Sequence, residues 1–455
     1  MKGPLARAAA VLAALAAVAL AAPGGVAPAG VHFMFAGASL APRADSAARQ
    51  HVIQAAGPGS AGTAGTTTLE FWTISLQPFF TKFINGLLDG YRRAHPDVRI
   101  RWIDVQPQAL DQKLLSAIAG GVAPDVVNLN TETTLRLAEA RALVDMDAAV
   151  PADARARYFP NIWASMRLDG RAYGVPWYVT PDVLAYNRAL FRKAGLDPAH
   201  PPATTEKLIQ AAGAVKQKAG VYGFMPNVDG IRFLKVFQEE GLPVLSPDRR
   251  RAVFDSAAHI ALLARYVDLF KHDQFPDDTL RRGYLGATER YGGGQLAMLT
   301  TGPQFLLRVR SDNPDVYRDT AVAPAPLGRG HVLDLPTMDL AVPVASRHRT
   351  EAVAFALYIT NDANQLAFSK QVVIFPSTRA AAADSYFTQA GASPEDRARV
   401  IAARELGDAK DLTVAVPHSD ELYRVFREAI ESAFYGKMKP GQALEWAVRE
   451  WNRRL

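Results

Sequence analysis

The chain has 455 residues, 49% hydrophobic and 21% charged, with 51 Lys and Arg against 45 Asp and Glu and no cysteine. That length exceeds what one hydrophobic core organises, so two lobes are expected, and the missing cysteines exclude disulfides and a thiol nucleophile. The net charge of +6 is spread out, with short clusters at Arg249-Arg250-Arg251, Arg281-Arg282 and Arg453-Arg454 but no basic stripe interleaved with aromatics, so no nucleic-acid partner is expected.

The N-terminus has the shape of a secretory signal. Lys2 and Arg7 give a short positive region, residues 8–22 are an unbroken run of alanine, valine and leucine, and Pro23, Gly24 and Gly25 break it. The run is too short to span a bilayer and carries an Ala-x-Ala cleavage option ending at Ala21. No second long apolar run follows, so no membrane-embedded domain is expected. These features predict a soluble periplasmic protein that is not a lipoprotein and relies on its apolar core for stability. Residues 23–66, rich in Ala, Gly, Pro and Ser, read as a flexible leader. Gly57, Gly59 and Gly62 match the dinucleotide pattern G-x-G-x-x-G, but no strand precedes them and no helix follows, so the match is discarded.

The folded body begins at residues 69–74, a β-prone stretch containing Trp72. Phe83, Ile84, Leu87, Leu88 and Tyr91 then recur at helical spacing until Pro96. Residues 98–105 read as a second strand. Leu110, Leu114, Leu115 and Ile118 mark a second helix ended by Gly120-Gly121, and residues 125–129 read as a short buried strand. This alternation predicts an α/β lobe with a largely parallel sheet, whose ligands collect at the carboxyl ends of the strands. Near the C-terminus, Leu422, Val425, Phe426, Ala429, Ile430, Ala433 and Phe434 form one apolar helix face with Gly436 as its stop. Leu444, Ala447, Val448, Trp451 and Leu455 repeat the pattern, and both stripes are expected to be core.

Catalytic signatures are missing: the chain has no G-x-S-x-G elbow, no Walker A loop and no H-E-x-x-H. The nine His residues are scattered, and no metal or other cofactor is expected. A glycosidase-type carboxylate pair stays open as an alternative, because the fold sets its separation. What stands out is a set of aromatic and amide residues at expected loops. Trp72, Trp177, Tyr178 and Phe375 offer flat faces; Gln77, Asn128, Asn130, Thr180, Gln304, Ser377 and Thr378 offer donors and acceptors. Sugars suit this chemistry, since their C–H faces pack on rings and their hydroxyls need paired donors and acceptors.

Several segments, in order, resemble the extracellular solute-binding proteins of ABC importers, in the maltose-binding-like carbohydrate class. They are Leu69-Glu70-Phe71-Trp72-Thr73, Ala123-Pro124-Asp125-Val126-Val127, Asp169-Gly170-Arg171-Ala172-Tyr173-Gly174-Val175-Pro176-Trp177, Tyr186-Asn187-Arg188-Ala189-Leu190-Phe191, Gly294-Gln295-Leu296-Ala297-Met298 with Gly302-Pro303, and Phe375-Pro376-Ser377. With the helix at residues 352–361 and the terminal residues 443–452, which also fit, the resemblance covers essentially all of residues 67–455. Gln304 departs from the Trp that many members carry after Gly-Pro, and Pro336-Thr337-Met338-Asp339 replaces a frequent Gly-Gly.

The resemblance implies a two-lobed periplasmic-binding-protein type II fold, with residues 67–183 and 338–378 in the N-terminal lobe and residues 184–337 and 379–455 in the C-terminal lobe. It implies hinge crossings near residues 181–185, 337–340 and 377–381. A carbohydrate would sit between the lobes, and the closed form would be read by the importer's permease subunits, with the protein as a monomer. The implied ligand residues are Trp72, Thr73, Ser75, Gln77, Asn130 and Glu132 from the first lobe, Trp177, Tyr178 and Thr180 near the hinge, Asp229, Gly302 and Gln304 from the second lobe, and Phe375 and Ser377 from the late return. A binder of glycerol-phosphate or another polyol phosphate is the nearest alternative. It wants a cationic cleft, and only Arg171 and Arg232 fall at the margins of the expected loops. A secreted carbohydrate-active enzyme is the alternative from another class.

Overall fold

The computed structural model describes residues 66–455 apart from Phe79 and Pro417; the signal segment, the leader and the discarded glycine pattern lie outside the described residues. Strand β1 (Thr67–Ile74) runs parallel to β2 (Val98–Val105), with Thr67 opposite Val98 and Ile74 opposite Val105. Its other edge pairs, also parallel, with β3 (Val126–Asn130). The crossover helices Thr81–Ala94 and Pro107–Ala119 fall where the apolar spacing places them. The second helix stops at Gly120-Gly121, where Gly121 takes φ 70°, a left-handed conformation that glycine adopts without steric cost. Alternation along β1 divides its side chains between two cores. Leu69 and Phe71 pack with Ile84, Tyr91 and Phe355, and Trp72 packs on the other face with Val105 and Leu114.

A hairpin of β4 (Arg167–Leu168) and β5 (Arg171–Ala172) precedes β6 (Val175–Val179) and β7 (Val183–Asn187). Farther along come β8 (Tyr222–Phe224), β9 (Leu296–Thr301), β10 (Thr320–Pro324), β11 (Thr337–Ala341) and β12 (Phe375–Pro376). They form one sheet in the order β12-β6-β11-β3-β1-β2 and another in the order β10-β7-β9-β8. Parallel pairing holds for β2, β1 and β3 and for β8 with β9. Strand β11 is antiparallel to β3 and β6, and β7 to β9 and β10. Both sheets are therefore mixed rather than largely parallel, because their later strands return from distant parts of the chain.

The chain passes between the sheets at residues 180–182, at residues 325–336 and after β12. The Thr180 N–H donates to the Pro336 carbonyl at 3.1 Å, which ties the first crossing to the second. Residues 337–340, expected as hinge, are instead strand β11 inside the first sheet; the crossing is the loop before it. After β12 the chain enters the helix Pro394–Glu405, which packs on β10 of the second sheet. Val183, Phe375, Phe387 and Ala398 share one core under these crossings. Residue 411 adds a tie: its carboxylate accepts from Thr131 Oγ1 at 2.5 Å and from the Thr337 N–H at 3.1 Å, while the Leu412 carbonyl accepts from Gln238 Nε2 at 2.8 Å. This segment thus bonds to both lobes.

The C-terminal helices Ser419–Phe434 and Pro440–Asn452 bury their apolar faces, and Gly436 follows the first at φ 72°. Trp451 is fully buried against Phe254 and Phe426 and donates from Nε1 to the Leu422 carbonyl at 2.8 Å. Both stripes are core, as their spacing implies.

Candidate functional site

A cavity of about 900 Å³ lies over the crossings. Thr180, Pro181 and Asp182 of the first crossing and Asp334 and Pro336 of the second line it, and Glu405 closes the helix that follows the third. Phe80, from the loop after β1, and residues 371–373, from the loop before β12, come in from the first sheet's side. The second sheet's lobe supplies three helix faces. Arg232, Lys235, Val236 and Glu239 are spaced three and four apart around the helix Phe233–Glu239, so they lie on one face. Arg281, Leu285 and Thr288 do the same on the helix Thr279–Gly292, and Gln304, Arg308 and Ser311 on the helix Gln304–Asp312. Phe224, Tyr266, Tyr284 and Phe305 add aromatic walls, and Tyr284 is held by a 2.5 Å hydrogen bond between its hydroxyl and Thr301 Oγ1.

Charge inside this space is dense. Lys235 Nζ meets Asp334 Oδ2 at 2.6 Å, and Asp334 Oδ1 also accepts from the Leu412 N–H at 3.0 Å. Burial pulls the Lys235 ammonium down, but Asp334 and Asp411 outweigh it and hold the group above its ordinary value. Burial pushes the Asp182 carboxyl up to about 7, with Asp334 adding to the effect and Arg232 and Lys235 opposing it. Burial and then Asp334 push Glu239 up to about 8, and burial and then Asp182 push Glu405 up to about 7. Asp182 is exposed and lines the cavity. The upward direction holds, while water in the cavity moderates its size.

These raised values set a pH dependence. Between about pH 5 and 8 the folded chain holds protons on Asp182, Glu239 and Glu405 that the unfolded chain releases near the ordinary carboxylate range. The ligand-free protein should therefore lose stability as pH rises through 7 and 8. Melting curves at pH 5.5 and 8 check this, and Asp182→Asn should narrow the gap by raising the melting temperature more at pH 8.

Of the residues expected from sequence, Thr180, Asp229, Gly302 and Gln304 line the cavity. The others do not. Trp72 is buried and donates from Nε1 to Glu70 Oε1 at 2.5 Å. Thr73 is fully buried, donates to Asp104 Oδ1 at 2.6 Å and accepts from Trp102 Nε1 at 2.7 Å. Ser75, at φ 50°, and Gln77 belong to the loop that Asp104 organises, accepting the Leu76 and Gln77 N–H groups at 3.0 Å each. Asn130 caps the helix Thr131–Glu139, accepting from the Thr133 N–H at 2.8 Å. Glu132 sits in the first turn of that helix; burial raises its carboxyl, and Arg136 and Lys235 pull against it.

Trp177 and Tyr178 pack on Phe368 in the core of the first lobe, with ring centroids 5.3 and 5.8 Å away. Phe375 is fully buried against Phe387, and Ser377 Oγ donates to the Pro176 carbonyl at 2.6 Å. These four are buried side chains rather than cavity walls, because rings and backbone carbonyls of the core already engage them.

Sequence reading missed Phe80, Asp182, Lys235, Glu239 and Tyr284. A signal existed for two of them: Arg232, Lys235 and Glu239 follow the spacing of one helix face. It also expected fewer cations than the cavity has, since Arg232, Lys235, Arg281, Arg282 and Arg308 all line it.

Two α/β lobes joined by several crossings, with a cavity over the joint, define the type II solute-binding clamp. Residues 72–366 match the bacterial extracellular solute-binding protein family, and the chain belongs to it. An sn-glycerol-3-phosphate-binding periplasmic protein of Pectobacterium atrosepticum is 24% identical over 429 residues, which cover 87% of this chain and 93% of that protein. A candidate oligosaccharide periplasmic-binding protein from Synechococcus sp. MITs9220, solved in complex with zinc, superposes with TM-score 0.77 at 30% identity, covering 85% of this chain and 98% of the other. The cyclic α-maltosyl-1,6-maltose binding protein of Arthrobacter globiformis shares the fold, with TM-score 0.73 at 20% identity over 86% and 99% of the two chains. These relatives are binding proteins. Among the described residues of this chain, no group of three or more His, Asp and Glu side chains is arranged to hold a metal ion, and no helix is long and apolar enough to cross a membrane.

Proposed function

We propose that the protein is the periplasmic ligand-binding component of an ABC importer, capturing a sugar or oligosaccharide in this cavity and presenting it to the permease subunits without chemical change. The single observation that carries the reading is the wall composition: Phe80, Phe224, Tyr266 and Tyr284 offer ring faces beside Asn227, Gln304, Thr180 and the carboxylates. A sugar ring needs both kinds of surface at once. The volume of about 900 Å³ lies at the upper end of small-molecule sites, which suits more than one sugar unit. Contacts from both lobes would let the ligand favour the closed arrangement that a permease reads. The family and its sugar- and oligosaccharide-binding relatives support this.

The glycerol-phosphate reading has its own support in the Pectobacterium relative and in the five cations that line the cavity. Four of those five have a carboxylate at ion-pair distance, which lessens their pull on a phosphate.

A thermal-shift screen of neutral sugars, oligosaccharides and polyol phosphates tests the proposal, since a ligand bound to the folded state alone raises the melting temperature with its concentration. Saturable shifts with a sugar class are expected, and Tyr284→Ala should weaken that binding about tenfold by removing one ring face. Shifts with polyol phosphates alone would replace the sugar reading with the phosphate one. New reducing ends after incubation with a glycan would contradict a non-catalytic role.

A further inference from the structure

The cavity's polar groups are not evenly satisfied, and the imbalance has one direction. Its cations are engaged: Lys235 with Asp334 at 2.6 Å, Arg232 with Asp229 at 3.4 Å, Arg308 with Asp312 at 3.2 Å, and Arg282 with Glu289. Arg281, on the exposed side, is the one lining cation with no carboxylate within 4.0 Å among the described residues. Three lining carboxylates, Asp182, Glu239 and Glu405, have no cation within that distance among the described residues and no hydrogen-bond donor. Glu405 Oε2, Gln304 Oε1 and Asn227 Oδ1 are buried acceptors without a donor. Two hydroxyl-bearing side chains also line the space, Tyr266 and Thr180, each 5% exposed, with no hydrogen bond from either hydroxyl among the described residues.

We propose that the ligand is a sugar carrying a protonated amino group, held with its ammonium among Asp182, Glu239 and Glu405. This rests on the sugar-binding reading above and narrows it. A neutral hydroxyl donates one hydrogen bond and leaves the three carboxyls to hold their protons, whereas a cation beside them favours their ionised form. An ammonium donates three and supplies the missing positive charge, and hydrogen bonds between ionised groups are the stronger kind. A phosphate ester would add negative charge beside this acidic group and hold its protons in place. Burial first, and then the neighbouring carboxylates, hold all three carboxyls above their ordinary range.

The test is calorimetric titration of the full chain with three matched probes: a β-1,4-linked glucosamine disaccharide, its N-acetylated form and cellobiose. The amino sugar should bind about tenfold or more tightly than either neutral sugar. Asp182→Asn and Glu239→Gln should each shrink that preference to about threefold. The wild-type ratio does not depend on either variant folding. Neutral probes bound as tightly as the amino sugar overturn the charge reading and leave the sugar-binding proposal intact. If neutral sugars shift the melting temperature in the wider screen and no amino sugar does, again only this inference falls. No response to any sugar overturns both.

Discussion

Trp177→Ala should lower the unfolding free energy by about 3–5 kcal/mol, the range for removing a large aromatic side chain from a packed core. Trp177 lies on β6, in the first sheet, and is 1% exposed. It stacks on Phe368 at 5.3 Å and lies 6.3 Å from Phe71 and 5.3 Å from Tyr178. Alanine would leave a void among rings that are themselves fixed by neighbours, so little collapse is available. Trp177→Phe should cost much less, because it keeps a ring in the stack and deletes an indole N–H that has no acceptor. Denaturant melts of the three proteins measure the difference. Sugar affinity, measured at a temperature where the alanine variant is folded, should stay within about threefold of wild type. A stable variant with lost affinity would return Trp177 to the binding surface.

Gly283→Ala should reduce both stability and affinity. Gly283 interrupts the helix Thr279–Gly292 at φ 40° and ψ −128°, a conformation that side chains rarely adopt. A Cβ there would stand 2.2 Å from Asp229 Oδ1 and 2.4 Å from its Cγ. Backbone strain of this kind costs about 1–3 kcal/mol. The displaced groups, Asp229 and the adjoining Tyr284, both line the cavity, so affinity should fall about tenfold or more. Adding Asp229→Ala removes the clash. The double variant should therefore be more stable than Gly283→Ala alone, a non-additive result that a double-mutant cycle resolves. Purely additive losses would mean that the two residues do not meet.

The first half of the fold was legible because its signals are local. The strand at residues 98–105, the helix ending at Gly120-Gly121 and the buried strand near residue 126 each follow from periodicity and breakers within a dozen residues. The pairing of β11 between β3 and β6 was not legible, since residues 337–341 reach their place only after the second lobe has been built. The walls of the cavity were hard to read for a related reason. Strand-end reasoning put the ligand at Trp72, Thr73 and Asn130, but Asp104 and a helix cap already use the polar groups there. The cavity instead gathers Asp182, the helix neighbours Lys235 and Glu239, Tyr266 and Tyr284, which come from separate segments and belong to no motif. The family resemblance pointed to Thr180, Asp229, Gly302 and Gln304, and these four line the cavity. Aromatic character alone misled: Trp177 and Phe375 have the rings that a sugar needs but spend them on the core.

Hydrogen–deuterium exchange of the full chain, with and without the sugar that gives the largest thermal shift, tests the central claim most directly. A ligand held in the cavity over the crossings should slow exchange on both sides together, at residues 180–182, 325–336 and 371–373 and on the helix Phe233–Glu239. Protection confined to one lobe, or lying outside these segments, would contradict it.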